Sequence, residues 1–262
     1  MTGLPRLSSR QDPVVRRFRD AARRRDDDVV LLDGEHLIHE AIAARLRIDV
    51  LLADDAHTSI AGRARAAGAA VYRATRPVLE AASPVKTPSG VVALARWRPD
   101  PIERAIGADA ALAIGVVDVQ DPGNLGGVVR ATAALGGTGV LALDASADPG
   151  GWRALRGAMG STFRVPVARG ASHDAIQVAR ASGLRIAAAT AGAGEAVARA
   201  DLRQPLLVLL GNEGSGLPAT IESQADVRLK VPMDRGVESL NVAVTAGIIL
   251  FEARRQRGGS AR

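Results

Sequence analysis

Short apolar runs alternate with helix-forming segments along almost the whole chain. In the first hundred residues the runs are Val29–Leu32, Ile48–Leu52, Ala69–Arg73 and Gly90–Ala95, each followed or preceded by a stretch with helical spacing. Strands that alternate with helices indicate an α/β domain built on a mostly parallel sheet. We therefore expect this part of the chain to form a small α/β domain.

A second set of strands follows a break in the pattern. The segment Arg96-Trp-Arg-Pro-Asp-Pro101 is charged and interrupted by proline, which is typical of a linker. Beyond it, Ala110–Val119 and Leu206–Leu210 are almost wholly apolar and predict buried strands, and Thr162–Val167 predicts a further extended piece. The expected organisation is a domain over residues 1–97, a linker over 98–106 and a second domain over 107–262.

The charge balance points to a polyanionic partner. The formal net charge is +6 and the sequence pI is about 10.9, although an arginine-rich composition alone would produce the same excess. Near the N-terminus, Ser9 or Asp12 predicts the cap of a helix that has Pro13 at its first position. The basic residues Arg10, Arg16, Arg17 and Arg23 of this region predict either an arm that contacts RNA phosphates or a merely solvated helix surface. Aromatic residues are only 2% of the chain, so base stacking on aromatic rings is not its main recognition device.

Several classes of protein are excluded by what the sequence lacks. With no cysteine, the chain has neither a disulfide framework nor a thiolate nucleophile. His36 and His39 lie three residues apart without an evident third ligand, so no metal site is expected. No apolar run reaches the roughly 18 residues of a membrane span, and no signal peptide is visible. We expect a cytoplasmic protein.

Three loops follow buried strands: residues 120–127, 211–218 and 232–240. Ligands bind at the carboxyl edge of an open α/β sheet, so these loops are the candidate site. Their glycines match neither the dinucleotide pattern GxGxxG nor the phosphate loop GxxxxGK[ST], and could serve turns alone.

The polar residues of these loops each have a purely structural alternative. Asn124 predicts the cap of a helix that runs to about Leu135, and Ser239 or Asn241 predicts the cap of the apolar helix that begins at Val242. Glu213 could be an acidic residue favoured by a helix dipole. Local sequence leaves these alternatives open.

Taken together, the three loops resemble the three motifs of the SpoU-type (TrmH-like) RNA 2′-O-ribose methyltransferases. The motifs are Asn124…Arg130, Leu209-Leu-Gly-Asn-Glu-Gly-Ser-Gly-Leu217 and Val231-Pro-Met…Glu-Ser-Leu-Asn-Val242. The first domain resembles the substrate-binding module of the same family, in Ser9…Pro13…Arg17, Leu32-Asp-Gly-Glu-His-Leu37 and Thr87-Pro-Ser-Gly-Val-Val-Ala93. One departure is Gly157-Ala158, where relatives usually carry Ala-Ser and so supply a hydroxyl.

The resemblance implies a homodimeric enzyme whose second domain contains a trefoil knot and binds S-adenosylmethionine in the knotted loops. It implies that the catalytic residues are Asn124, Arg130, Glu213, Ser239 and Asn241. It further implies that cofactor contacts come, largely through the backbone, from Leu209, Leu210, Gly211, Val231, Met233, Ser239 and Leu240. The substrate implied by the N-terminal module is a ribose of large-subunit (23S) ribosomal RNA.

Other functions stay open at this point. They are a tRNA ribose methyltransferase, a methyltransferase that protects the ribosome from an antibiotic, and a catalytically silent RNA-binding protein. A nicotinamide-dependent oxidoreductase is disfavoured by the absent GxGxxG. For a methyltransferase, we expect Arg130 to bind the 2′-oxygen and the adjacent phosphate, because a guanidinium stays protonated and is a poor general base.

Overall fold

The computed structural model describes residues 3–24, 26–107 and 110–258. Its strands are β1 (Arg6–Leu7), β2 (Val29–Asp33), β3 (Ile48–Ala53), β4 (Ala70–Ala74), β5 (Val91–Arg96), β6 (Leu112–Val117), β7 (Gly139–Leu143), β8 (Val167–Gly170), β9 (Arg185–Ala189), β10 (Glu195–Ala196), β11 (Leu206–Leu210) and β12 (Val227–Lys230). Its helices are α1 (Pro13–Ala22), α2 (Glu35–Ala43), α3 (Thr58–Ala66), α4 (Arg76–Ala82), α5 (Ile102–Ile106), α6 (Pro122–Leu135), α7 (Trp152–Ala158), α8 (Ser172–Ala181), α9 (Ala219–Glu222) and α10 (Val242–Gln256).

The chain divides into two compact units. The first runs to Arg98 and also takes in Gly150–Phe163, while the second comprises Pro99–Pro149 and continues from Arg164. The sequence did not predict that Gly150–Phe163, which contains α7, belongs to the first unit. This segment joins the first unit because Leu155 of α7 is fully buried in the apolar core of that unit, a long-range contact that local pattern does not reveal.

The first unit is a three-layer α/β domain around a five-stranded sheet in the order β1-β4-β3-β5-β2. One face is covered by apolar residues of α2, α3 and α7, the other by residues of α1 and α4. Helix α1 begins as predicted: Asp12 is its cap, its carboxylate accepts from the Val14 N–H at 2.8 Å, and Pro13 is the first helical residue.

The sheet of the first unit is mixed, which corrects the expectation of a mostly parallel one. Strand β4 runs parallel to β1 and β3, but β5 lies between β2 and β3 and is antiparallel to both. The direction of β5 follows from its position between β2 and β3. The local sequence of β5 carries no information about that position.

The second unit contains a seven-stranded, wholly parallel sheet in the order β10-β12-β9-β11-β6-β7-β8. The α/β class with a mostly parallel sheet is thus confirmed for this unit, and the trefoil knot stays a prediction. Strands β6 and β11 are buried at every residue, as their apolar runs predicted. Because β12, β9, β11 and β6 are neighbours, their carboxyl ends lie side by side.

Helices α6 and α10 pack closely on one another in this unit. A Cβ atom added to Gly127 of α6 would lie 2.8 Å from the Cβ atom of Ala243, so only glycine permits the approach. The helices thereby bring the start of α10 next to the start of α6. The first and third motifs, separated by more than a hundred residues of sequence, become neighbours through this contact.

The remaining differences from the predictions are local. The segment Thr162–Val167, expected to be extended, contains a 3-10 turn at Ser161–Phe163, and β8 starts only at Val167. Helix α5 lies within the predicted linker, where Asp100 and Val167 exchange backbone and side-chain hydrogen bonds. Within the described parts of the chain, no helix combines the length and the apolar character that crossing a membrane requires.

Candidate functional site

The first site loop leaves the carboxyl end of β6. Asp121 caps α6, and its carboxylate accepts from the Asn124 N–H at 2.8 Å. The prediction that Asn124 is the cap is therefore wrong, because Asp121 and Pro122 start the helix earlier. Asn124 lies in the first turn of α6, where its side chain is not needed to cap the helix.

The side chains of Asn124, Glu213 and Asn241 form one hydrogen-bonded cluster. The Asn241 amide donates to Asn124 Oδ1 at 2.8 Å and to Glu213 Oε1 at 3.2 Å. The Asn124 amide also donates to Glu213 Oε1. One residue from each of the three predicted motifs thus meets at a single point, and each amide fixes the orientation of the others.

Asn241 also caps α10, which confirms one of the two predicted alternatives, Ser239 or Asn241. Its Oδ1 atom accepts from the N–H groups of Ala243 at 2.9 Å and Val244 at 3.3 Å. Since the oxygen is held by the helix, the amide nitrogen has to face Asn124 and Glu213. Ser239 is exposed on the preceding loop, and within the described residues its side chain takes part in no hydrogen bond.

The glycine-rich loop after β11 is tied to the first loop by Asn212. The Asn212 amide donates to the Asp118 carbonyl at 2.9 Å, while its oxygen accepts from the Gly214 N–H at 2.9 Å. Gly211 is required by the fold of this loop, because a Cβ atom there would lie 2.1 Å from the carbonyl carbon of Gly216. These contacts determine where Glu213 stands.

A cavity of about 570 Å³ opens beside the cluster, within the size range of small-molecule sites. Six of the seven residues predicted for the cofactor line it: Leu210, Gly211, Val231, Met233, Ser239 and Leu240. Leu209 does not; it is completely buried in the sheet, where its side chain packs over Gly115. Alternate side chains of a strand face opposite ways, so the side chains of Leu209 and Leu210 point to different faces of the sheet, and the backbone contact expected at Leu209 stays a prediction.

Two further parts of the wall were missed by the sequence analysis. Residues 189–192, at and after the end of β9, and Thr245 of α10 also line the cavity. The loop after β9 was detectable in principle, because Thr190-Ala-Gly-Ala-Gly194 is a glycine-containing segment that follows the apolar run Ile186–Ala189. Thr245 had no comparable signal.

The cavity wall combines apolar and polar groups in similar measure. Among the described residues its ionisable members are Glu213, Glu222 and Glu238, with neither lysine nor arginine. Glu222 forms an ion pair with Arg228 at 2.8 Å. The carboxylates of Glu213 and Glu238 have no basic residue beside them among the described lining residues. Such a wall suits a ligand with cationic groups and disfavours a phosphate-rich one.

The structure does not bring Arg130 into the cluster. Arg130 is exposed on α6, and within the described residues its side chain has neither an ion pair nor a hydrogen bond. Six residues separate it from Asn124, which corresponds to about 120° around a helix. Its guanidinium is therefore available to a partner outside the chain.

The arginines predicted to bind RNA lie on or beside α1 in the first unit, and all are exposed. The Arg10 carbonyl accepts from Arg19, Arg16 is 3.9 Å from Asp20, and Arg17 is 3.7 Å from Asp49. Arg23 directly follows the last residue of α1 and is its C-cap. Ala158, where relatives usually carry serine, is fully buried in α7 and is not part of the cavity wall.

Two family models match most of the chain. The sequence model of the SpoU rRNA Methylase family matches residues 111–251, and that of the MRM3-like substrate binding domain matches residues 14–93. The 23S rRNA (guanosine(2553)-2'-O)-methyltransferase RlmP of Bacillus subtilis is 31% identical over 224 residues, which cover 86% of this chain and 88% of the relative.

Two solved structures cover nearly the whole chain. The AdoMet-bound rRNA methyltransferase from Sinorhizobium meliloti has a TM-score of 0.87 at 27% identity, covering 96% of this chain and 98% of its own. The SpoU methyltransferase AviRb from Streptomyces viridochromogenes, in complex with AdoMet, has a TM-score of 0.82 at 27% identity, covering 95% of this chain and 100% of its own.

Proposed function

This chain belongs to the SpoU rRNA methylase family, and from that membership we propose that its substrate is a ribose 2′-hydroxyl of 23S ribosomal RNA. It is an S-adenosylmethionine-dependent RNA methyltransferase, as its family is. The observation that carries the proposal is a cavity lined by Glu213, whose carboxylate accepts hydrogen bonds from Asn124 and Asn241.

The cavity residues fit S-adenosylmethionine. Leu210, Val231, Met233 and Leu240 supply an apolar wall for the adenine, and backbone groups of the loops supply polar contacts for its edge. Glu213 and Glu238 suit the cationic sulfonium and ammonium groups, whereas the negatively charged pyrophosphate of NAD would face the same carboxylates. When bound, the cofactor supplies an electrophilic methyl group.

The residues around the cavity have to orient a poor nucleophile and stabilise the negative charge that develops on it. We assign this stabilisation to Arg130, which does not itself line the cavity and whose exposed guanidinium would bind the 2′-oxygen and the adjacent phosphate of the RNA. The guanidinium keeps its own protons at neutral pH, so the phosphate or a water molecule accepts the proton of the hydroxyl. Asn124, Glu213 and Asn241 hold the three loops in register, and Ser239 on the cavity wall contacts the target nucleotide.

Arg130→Ala tests this assignment. We expect turnover to be abolished while the affinity for S-adenosylmethionine, measured by titration calorimetry, stays that of the wild type. Arg130→Lys, which retains the charge but not the planar fork, should recover only a small part of the rate. Loss of cofactor affinity with near-normal turnover at saturation would contradict the role given to Arg130.

The ribosomal substrate is supported by the first unit. Residues 14–93 match a substrate-binding domain, and the relative RlmP, which the chain covers over 88% of its length, is named as a 23S rRNA methyltransferase. An enzyme acting on ribosomal RNA works in the cytoplasm, where we place this protein. Mapping 2′-O-methyl groups in total RNA from cells with and without the gene tests the substrate: loss of a site in tRNA alone would refute it.

We also propose that the protein is a homodimer that associates through α10. Val244 and Phe251 are 50% and 61% exposed, and they line an apolar depression of about 400 Å³ together with Val231, Pro232 and Ile248. Large exposed apolar residues grouped in this way are typical of an interface. Phe251→Glu should convert the dimer to a monomer in light scattering; a wild-type protein that is already monomeric would exclude the proposal.

A further inference from the structure

Three arginines in the first unit surround one buried carboxylate. Asp49, near the start of β3, has a side chain that is only 7% exposed. Arg96 Nε donates to its Oδ2 atom at 2.7 Å, Arg47 Nε lies 3.1 Å from its Oδ1 atom, and Arg17 Nη2 lies 3.7 Å from Oδ2. We call Arg17, Arg47 and Arg96 the Asp49 arginine cluster.

The cluster carries more positive charge than its carboxylates require. Among the described residues, the ion pairs of these three arginines involve two aspartates, Asp49 and Asp26, the latter 3.7 Å from Arg96 Nη1. The three arginines and their two paired aspartates together have a net charge of +1. Guanidinium groups held this close repel one another, and an additional anion relieves that repulsion.

The unused hydrogen-bond donors of the cluster face solvent. The side chains of Arg47 and Arg17 are 81% and 49% exposed. Arg47 is held by charge alone: its Nε–H does not point at Asp49, whose Oδ1 atom has no correctly oriented donor. Asp49 lies next to the Nε atom of Arg47, and no contact among the described residues engages the terminal nitrogens of Arg47, so these nitrogens are left for a ligand. Arg96 contacts Asp49 through Nε and Asp26 through Nη1, and it is less available than Arg47. Planar guanidinium forks match phosphate oxygens.

We propose that the Asp49 arginine cluster binds phosphodiester groups of the RNA substrate, with Asp49 as the positioning residue. The inference rests on the proposed function only for the identity of the polyanion. It extends the predicted basic surface from α1 to the ends of β3 and β5, and it retains Arg17 among the earlier candidates. Contacts of this kind orient RNA without reading its sequence.

The test is the salt dependence of RNA binding by the full-length protein. The probes are a fragment of 23S rRNA and an unrelated structured RNA, measured by fluorescence anisotropy from about 50 to about 200 mM salt. For Arg47→Gln we expect the slope of log K against log salt to become less steep by about 0.7–0.9 with both RNAs. That change means that the wild type loses about threefold more affinity than the variant across this range.

Matched variants decide the outcome. Arg47→Lys should restore the slope, and Arg63→Gln should leave it unchanged, since Arg63 is exposed on α3 and has no ion pair within the described residues. An unchanged slope for Arg47→Gln, or an equal change for Arg63→Gln, overturns the proposal. Arg47 is the most exposed member of the cluster, so Arg47→Gln should leave the fold intact. Arg47→Gln therefore tests RNA binding even if the corresponding substitution of the less exposed Arg96, Arg96→Gln, prevents folding. If RNA mapping showed that the substrate is not 23S rRNA, the salt dependence of RNA binding would be unaffected. A failure of the proposed substrate is therefore distinguishable from a failure of the proposed phosphate-binding cluster.

Discussion

Asn241 has two roles that substitutions can separate. Its Oδ1 atom caps α10, and its amide nitrogen joins Asn124 to Glu213. Serine is about as good a cap as asparagine, but its hydroxyl is too short to replace the amide. Asn241→Ser therefore keeps the cap and removes the bridge, whereas Asn241→Ala removes both.

The two variants should differ in stability but not in activity. Loss of the cap in Asn241→Ala costs about 1 kcal/mol of folding free energy, which lowers Tm by about 2–4 °C for a unit of this size. Asn241→Ser should stay close to the wild-type Tm. In both variants the three loops lose their common contact, and a displacement of about 1 Å in a catalytic site can lower kcat by about 10²-fold.

The assay combines thermal unfolding, calorimetric titration with S-adenosylmethionine, and transfer of a labelled methyl group to RNA. The expected result is that kcat falls in both variants and Tm falls only in Asn241→Ala. Full activity of Asn241→Ser would show that the cluster is only structural, and the reasoning from its geometry would be refuted.

Three further predictions concern the second unit. Gly211→Ala should weaken S-adenosylmethionine binding by more than about tenfold, because its Cβ atom would lie 2.1 Å from backbone of the same loop, whereas the control Gly214→Ala meets only an ordinary contact at 3.5 Å. Arg257→Ala should destabilise the protein by about 3 kcal/mol in denaturant unfolding, since its guanidinium donates to the carbonyls of Ala110, Ala111, Leu202 and Gln204, and the exposed control Arg199→Ala should change little. Hydrogen bonds from Arg203 lower the pKa of Asp201 from 3.8 to about 2, so this pair stabilises the fold above about pH 4 and the contribution is lost as the pH falls towards 2. A carboxyl NMR titration of Arg203→Gln should find the pKa of Asp201 back near its usual value; a midpoint still near 2 would exclude Arg203 as the cause.

Much of the local structure was predictable because it depends on local chemistry. The apolar run Leu206–Leu210 is a strand with those same bounds, and Asp12 with Pro13 starts α1 as predicted. Where two local signals competed, prediction failed. Asn124 is a good cap residue, but Asp121 followed by proline is a stronger start, and the helix begins there.

The site itself was predictable only as a set of loops. Motif spacing indicated that Asn124, Glu213 and Asn241 belong together, but it did not indicate that their side chains bond to one another while Arg130 faces elsewhere on α6. The rotation of a residue around a helix and the face of a strand follow from exact element boundaries. A shift of one residue in a strand exchanges the side chain that faces a cavity with the one that faces the core, as with Leu210 and Leu209.

The sequence by itself determined the α/β class and the apolar strands of the parallel sheet. Periodicity, capping and charge are properties of neighbouring residues, so they are legible without coordinates. Only the tertiary structure decided that α7 joins the first unit, that β5 runs antiparallel to its neighbours, and that Asp49 gathers three arginines. Each of these depends on a contact between residues far apart in the chain, where packing and burial, rather than local preference, determine the lowest free energy.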